Sequence, residues 1–271
     1  MKNFFKGVVK KFFDYNCLQL ASQISFFGLL SIIPLLMIGV FITAQLLGHA
    51  APVYNQLVSR MLDVLPYGQK PILENLQSVM SARLSFGVWG SSILLLLSLL
   101  LFSALEQALN TIFASEKKRN FFQSRLLGIG FILIVALFFS LPTLAELTEK
   151  SLTGFGFHFP LGALLRSKFF FLVATYGAFV TIVSIVPNKN VPMRHALLGG
   201  FIFSVGVSLA KRWFHWYLYH AFSVYNVIYG SLTALVLLVV WVYYVSLILL
   251  IASLCVAQLS VRSGEHQRPV A

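Results

Sequence analysis

The sequence predicts an all-α fold: a polytopic membrane protein of six transmembrane helices with both termini cytoplasmic and an amphipathic helical pair in the first external loop. Three observations predict it. Charged residues make up only 10% of the 271 positions while AVILMFWYC residues make up 58%, against about a quarter charged in a soluble domain. The 20 basic and 8 acidic side chains are too few to clothe a soluble core. Long stretches hold no charge at all, and the basic residues between them fall unequally on the two sides.

The uncharged runs set the spans, because an ionised group costs a few kcal/mol at the centre of a bilayer and about twenty residues are needed to cross it. Asp, Glu, Lys and Arg are missing from 15–59, 84–105, 126–145, 169–188, 196–210 and 213–261. The last of these is too long for one helix. A fifth helix is therefore carried through Lys211 and Arg212 to about Leu218, and a sixth starts near Tyr229. The expected spans are Leu18–Leu47, Leu84–Leu105, Leu126–Ala145, Phe169–Pro187, Ala196–Tyr217 and Tyr229–Leu259. The first greatly exceeds the hydrophobic region of a cleavable signal, about 7–15 residues, and reads as a retained signal anchor.

Orientation follows from the basic residues, which accumulate in cytoplasmic loops. One side holds twelve: Lys2, Lys6, Lys10, Lys11, Lys117, Lys118, Arg119, Arg125, Lys189, Arg194, Arg262 and Arg268. The other holds six: Arg60, Lys70, Arg83, Lys150, Arg166 and Lys168. Topology thus accounts for the net charge of +12, and no nucleic-acid partner is expected from it. Membrane lipids are the expected surroundings, with a second copy of the chain or an envelope protein as the protein partner. Residues 1–262 read as a single six-helix transmembrane domain and 263–271 as a disordered cytoplasmic tail.

The first external loop repeats apolar residues at helical spacing from Val53 to Leu65, breaks at Pro66 and Gly68, and resumes from Ile72 to Met80. This is the pattern of two amphipathic helices lying on the membrane boundary. Residues 146–168, rich in Phe and Gly, suit an interfacial turn. Cys17 and Cys255 have neither metal-ligand spacing nor a reason to pair in a reducing compartment, and read as small buried residues.

Two polar clusters stand out. Asn16, Gln19 and Gln23 share one face of the first helix, and Ser103, Glu106 and Asn110 close the second at the same membrane level. Such amides either join helices by hydrogen bonds or line a cavity open to the cytoplasm in which Glu106 exchanges a cation or proton. On the fifth helix, Gly200, Ser204 and Ser208 recur every four residues, the spacing that lets backbones approach. Lys211 and Arg212 lie near its outer end beside Trp213, Trp216, Tyr217 and Tyr219. They either snorkel outward towards Glu146 or Glu149, or form an anion or headgroup site.

No catalytic constellation accompanies these clusters. His49, His158, His195, His215, His220 and His266 are scattered, and the chain has no HExxH, GxSxG, P-loop or GxGxxG sequence. Neither a metal nor a cofactor is expected, and the chain does not read as an enzyme.

Four segments carry a resemblance: Ala21–Phe27 leading to Pro34, Ala104–Phe113, Val186–Pro192 and Ile228–Leu232. In this order they resemble the signature segments of the YihY/BrkB family of bacterial inner-membrane proteins, along nearly the whole chain. The resemblance implies six helices, an inner-membrane location and a transport-like role tied to the cell envelope or virulence. It also brings an older label of tRNA-processing ribonuclease, which the residues do not support because the cytoplasmic loops are too short to build a nuclease site.

Overall fold

The computed structural model describes residues 2–31, 87–115, 119–120, 122–131, 133–134, 168–229 and 233–262. Seven helices and no strand occur among them: α1 (Lys2–Asp14), α2 (Cys17–Ser31), α3 (Gly87–Ile112), α4 (122–131), α5 (Lys168–Ile185), α6 (Met193–Tyr229) and α7 (Thr233–Arg262). The first external loop, the segment 146–167 and the tail 263–271 lie outside the described residues.

Local chemistry sets the breaks. Asn16 takes a left-handed backbone (φ 48°), which asparagine tolerates better than most residues. Its N–H donates to the Phe13 carbonyl at 3.0 Å and its own carbonyl accepts from Gln19 and Leu20 at 2.9 and 3.1 Å, so it closes α1 and opens α2. Ala114, also left-handed (φ 47°), ends α3, with Ser115 N–H reaching back to Asn110 O at 3.0 Å in a Schellman-type closure. Pro187 follows the last turn of α5, and Pro192 starts α6 by accepting from His195 and Ala196.

The packed core joins α5, α6 and α7, with α1 and α3 laid against α7. Phe179, Val183, Leu250, Leu254 and Val256 are fully buried, and Phe179 stacks on Phe203 at 5.2 Å. A second cluster, Phe214, Leu218, Leu237 and Trp241, closes the far ends of α6 and α7. Serines in this apolar interior bond their own helix: Ser208 to Ser204 O, Ser246 to Val242 O, Ser253 to Leu249 O and Ser260 to Val256 O, each at 2.8 Å. Such back-bonding satisfies a hydroxyl where water is absent, and the helices are left to associate by shape.

Many large apolar side chains lie on the outside of the described residues. Leu126, Phe169, Phe201 and Leu96 are 60–72% exposed, which suits lipid-facing surface and not a soluble exterior. Within α6 and α7, Met193–His220 and Leu235–Val261 are long and apolar enough to cross a membrane, and Cys17–Ser31 and Phe169–Ile185 are shorter apolar helices.

The helix that carries the expected span Ala196–Tyr217 runs further than that span. Its apolar part, Met193–His220, ends close to Tyr217, but α6 itself continues to Tyr229, 37 residues or about 55 Å, well beyond the roughly 30 Å hydrocarbon layer. The next helix, α7, accordingly starts at Thr233 and not near Tyr229. Charge at Lys211 and Arg212 does not interrupt a helix, and the first glycine or proline after Gly206 is Gly230.

Candidate functional site

The start of α2 and the last turns of α3 face each other with matched helical rows. Gln19, Ser22, Gln23 and Phe26 on α2, spaced three and four apart, stand opposite Leu100, Ser103, Ala104 and Gln107 on α3, and with Phe27 they line an open groove of about 600 Å³. Gly28 sits beside it, where an added methyl would touch Val242 of α7 at 3.5 Å and Leu101 of α3 at 3.8 Å. The amides of Gln19 and Gln107 are exposed and that of Gln23 is half-buried. Ser22 and Ser103 donate backward to Leu18 O and Leu99 O at 2.8 and 2.9 Å, which leaves their oxygens facing the groove as acceptors.

A cation reaches the groove wall from α4. The Arg125 guanidinium donates to Ser103 Oγ at 3.0 Å. One turn away the Ser124 hydroxyl donates to the Glu106 carboxylate. These two bonds tie α4 to α3.

The expected polar cluster therefore divides. Gln19, Gln23 and Ser103 line the groove, joined by Ser22 and Gln107. Asn16 occupies the α1–α2 joint, Glu106 is held by Ser124, and the Asn110 side-chain carbonyl accepts from the Asn188 N–H at 2.7 Å in the α5–α6 turn. That turn has a second tie. Arg119 donates through one nitrogen to Val186 O at 3.0 Å and through the other to Ile185 O and Pro187 O at 3.2 Å. A guanidinium is well placed there, since a helix end leaves unsatisfied carbonyls and a negative partial charge. In the sequence Arg119 counted only towards orientation; the unsatisfied carbonyls before Pro187 are the signal that calls for such a partner.

These ties gather the ends of α3, α5 and α7 with the starts of α2, α4 and α6 at one end of the bundle, and Gly7 of α1 abuts Gln258 of α7 there. Lys6, Lys10, Lys11, Arg119, Arg125, Lys189, Arg194 and Arg262 all belong to this end.

Lys211 and Arg212 do not converge. Lys211 Nζ lies 4.6 Å from the centre of the Phe171 ring of α5, a cation–π contact, while Arg212 is exposed. Trp213, Trp216, Tyr217 and Tyr219 are 41–81% exposed around them; Glu146 and Glu149 lie outside the described residues. Of the small-residue row, Gly200 faces Val180 and Tyr176 of α5 at 2.9 and 3.1 Å from an added methyl. Ser204 is buried and bonds Phe201 O at 3.1 Å. Two glycines outside that row, Gly199 and Gly206, bring α6 against α7 at Val256 and Ile248. Among the described residues no group of His, Cys, Asp or Glu has the arrangement of a metal site.

A family model described as "Virulence factor BrkB" matches residues 8–270. The chain is 30% identical over 249 residues to a UPF0761 membrane protein of Alkalilimnicola ehrlichii, covering 84% of this chain and 51% of that one. It is 29% identical over 269 residues to one of Nitrosospira multiformis, covering 95% and 61%. A relative from Haemophilus influenzae is 25% identical over 272 residues with 96% of both chains covered. The chain thus spans about half the length of the first of these relatives. No solved structure matches it. With apolar helices among the described residues and a family model that matches residues 8–270, the chain belongs to the BrkB family of membrane proteins.

Proposed function

We propose that this chain is a six-span protein of the bacterial inner membrane, both termini cytoplasmic, that binds an amphiphile in the groove between α2 and α3 and moves it across the bilayer. The groove carries the reading. Three glutamines and two serines converge on its walls beside Phe26, Phe27 and Leu100, so a headgroup meets hydrogen-bonding groups while a chain meets apolar ones. Polar side chains at membrane depth that line an open cavity can mark a pathway. Arg125, one bond away through Ser103, favours a headgroup with an anionic oxygen. The reading assigns no catalytic step and needs no cofactor.

A scaffold without transport is the second reading, and the closed apolar packing of Phe179, Phe203 and Val256 among α5, α6 and α7 favours it. Reconstitution into liposomes with labelled lipids and ions separates the two. Wild type is expected to move a labelled anionic amphiphile. Gln19→Leu with Gln23→Leu removes two amides worth about 0.5–1.5 kcal/mol each and is expected to slow movement about tenfold. Glu106→Gln, which keeps its shape and removes its charge, is expected to fold and insert normally and to lose transport; wild-type transport at equal expression would return Glu106 to a helix-end role tied to Ser124. No movement of any labelled species by wild type would leave the scaffold reading ahead.

Orientation has its own test. In a chain lacking Cys17 and Cys255, Ser263→Cys is expected to resist an impermeant thiol reagent in intact cells and to react after permeabilisation, because the basic side stays cytoplasmic. Ready labelling in intact cells would overturn the six-span topology.

A further inference from the structure

α1 divides into three faces. Val8 is buried and Phe4 and Phe12 pack against the core, while Gly7 lies against Gln258 of α7, so one face is closed by the protein. Phe5, Val9 and Phe13, four residues apart, form a second face and are 63%, 55% and 62% exposed. Lys6, Lys10 and Asp14 follow on a third, exposed face about 100° further round. The Phe4–Phe5 and Phe12–Phe13 pairs, edge-on at 5.8 and 5.4 Å, join the packed face to the open apolar one.

A helix in water does not keep two phenylalanines and a valine in an exposed row. A helix wholly in lipid does not keep two lysines and an aspartate there either. The arrangement fits a boundary: protein on one side, acyl chains on the second, headgroups on the third. The surroundings name the lipid. α1 runs through the Asn16 joint directly into the apolar α2, and it lies at the end of the bundle that collects Arg119, Arg125, Lys189, Arg194 and Arg262. Asp14 is the one acid on α1. A cationic helix on a cationic end complements an anionic leaflet.

We infer that α1 is an interfacial anchor that lies in the headgroup layer of an anionic leaflet, with Phe5, Val9 and Phe13 among the acyl chains and Lys6 and Lys10 on lipid phosphates. Its occupant is the bilayer surface, not another protein. The inference is independent of transport through the groove.

The test uses the full chain with Cys17→Ala and Cys255→Ala, an environment-sensitive fluorophore on Phe5→Cys, and vesicles of phosphatidylcholine with or without phosphatidylglycerol. Lipids with brominated acyl chains quench a probe at the hydrocarbon edge, and iodide quenches one in water. With phosphatidylglycerol, bromolipid quenching is expected to be strong and iodide quenching weak. Lys6→Glu with Lys10→Glu is expected to shift the docking equilibrium towards water by roughly tenfold or more, restoring iodide access. Phe13→Cys carries the same probe at the other end of the row if the Phe5 variant fails to purify as a single species. Iodide access in both vesicle types would overturn lipid docking and leave the face to a protein partner. Equal bromolipid quenching in both, unchanged by the lysine reversals, would overturn recognition of anionic headgroups.

Discussion

Gly199→Ala is expected to destabilise the bundle by about 1–3 kcal/mol, the cost of forcing a methyl into a packed interior. Gly199 is where α6 meets α5 and α7 at once. A methyl there would lie 2.7 Å from Phe179 Cε1 and closer still to Val256 Cγ2. Neither neighbour has room to move: both are fully buried, and Phe179 is stacked on Phe203. The alanine also gains about 0.8–1 kcal/mol of helix propensity over glycine, so a net loss means that the clash outweighs it.

The measurement is the thermal midpoint of detergent-purified protein, read against two companions. Gly177→Ala, with nothing within 4 Å of the added methyl, receives the propensity gain without the clash and should hold or raise the midpoint. Val256→Ala removes the nearest obstacle, so the double variant Gly199→Ala with Val256→Ala should lose less than the two single losses added, by about 0.5–3 kcal/mol. A Gly199→Ala protein that melts like Gly177→Ala would show that the three helices do not approach this closely.

The glycines also show what was legible before the structure. Spans are a bulk property of uncharged runs, and the Phe169–Pro187 run became α5 (Lys168–Ile185) almost residue for residue. Two glycines in a row, Gly199 and Gly200, announce close packing, but periodicity read along one row picked Gly200, Ser204 and Ser208 and passed over Gly199, which faces a different helix. α1 was hidden for the opposite reason. Four lysines in thirteen residues exclude a span, and its helix depends on packing Phe4, Val8 and Phe12 on a core assembled from much later residues.

The candidate site was legible to the same depth. Spacing of three and four placed Gln19 and Gln23 on one face because that needs only one helix. Which partner each polar group meets needs two. Glu106 meets Ser124 eighteen residues on, and Asn110 meets Asn188 across seventy-eight; neither distance leaves a periodic trace.

Arg119→Ala is expected to destabilise the protein by about 1.5–3 kcal/mol, the range for hydrogen bonds to a charged group. Its guanidinium accounts for three carbonyls at the end of α5, those of Ile185, Val186 and Pro187. Val186 and Pro187 are buried, so water replaces the lost partner poorly. Arg119→Lys keeps the charge near the negative end of the helix but offers a compact ammonium in place of a planar fork. It should recover part of the loss. Asn110→Ala removes a neutral acceptor from Asn188 N–H and should cost about 1 kcal/mol. Because both ties hold the same turn, the loss should be local before it is global. Amide exchange at Val186, whose N–H bonds Ile182 O, and at Ala196, whose N–H bonds Pro192 O, should quicken in Arg119→Ala while the α6–α7 core around Val256 stays protected. Exchange at Val186 unchanged from wild type would mean that the α5 end holds itself, and that Arg119 serves only the charge balance of its loop.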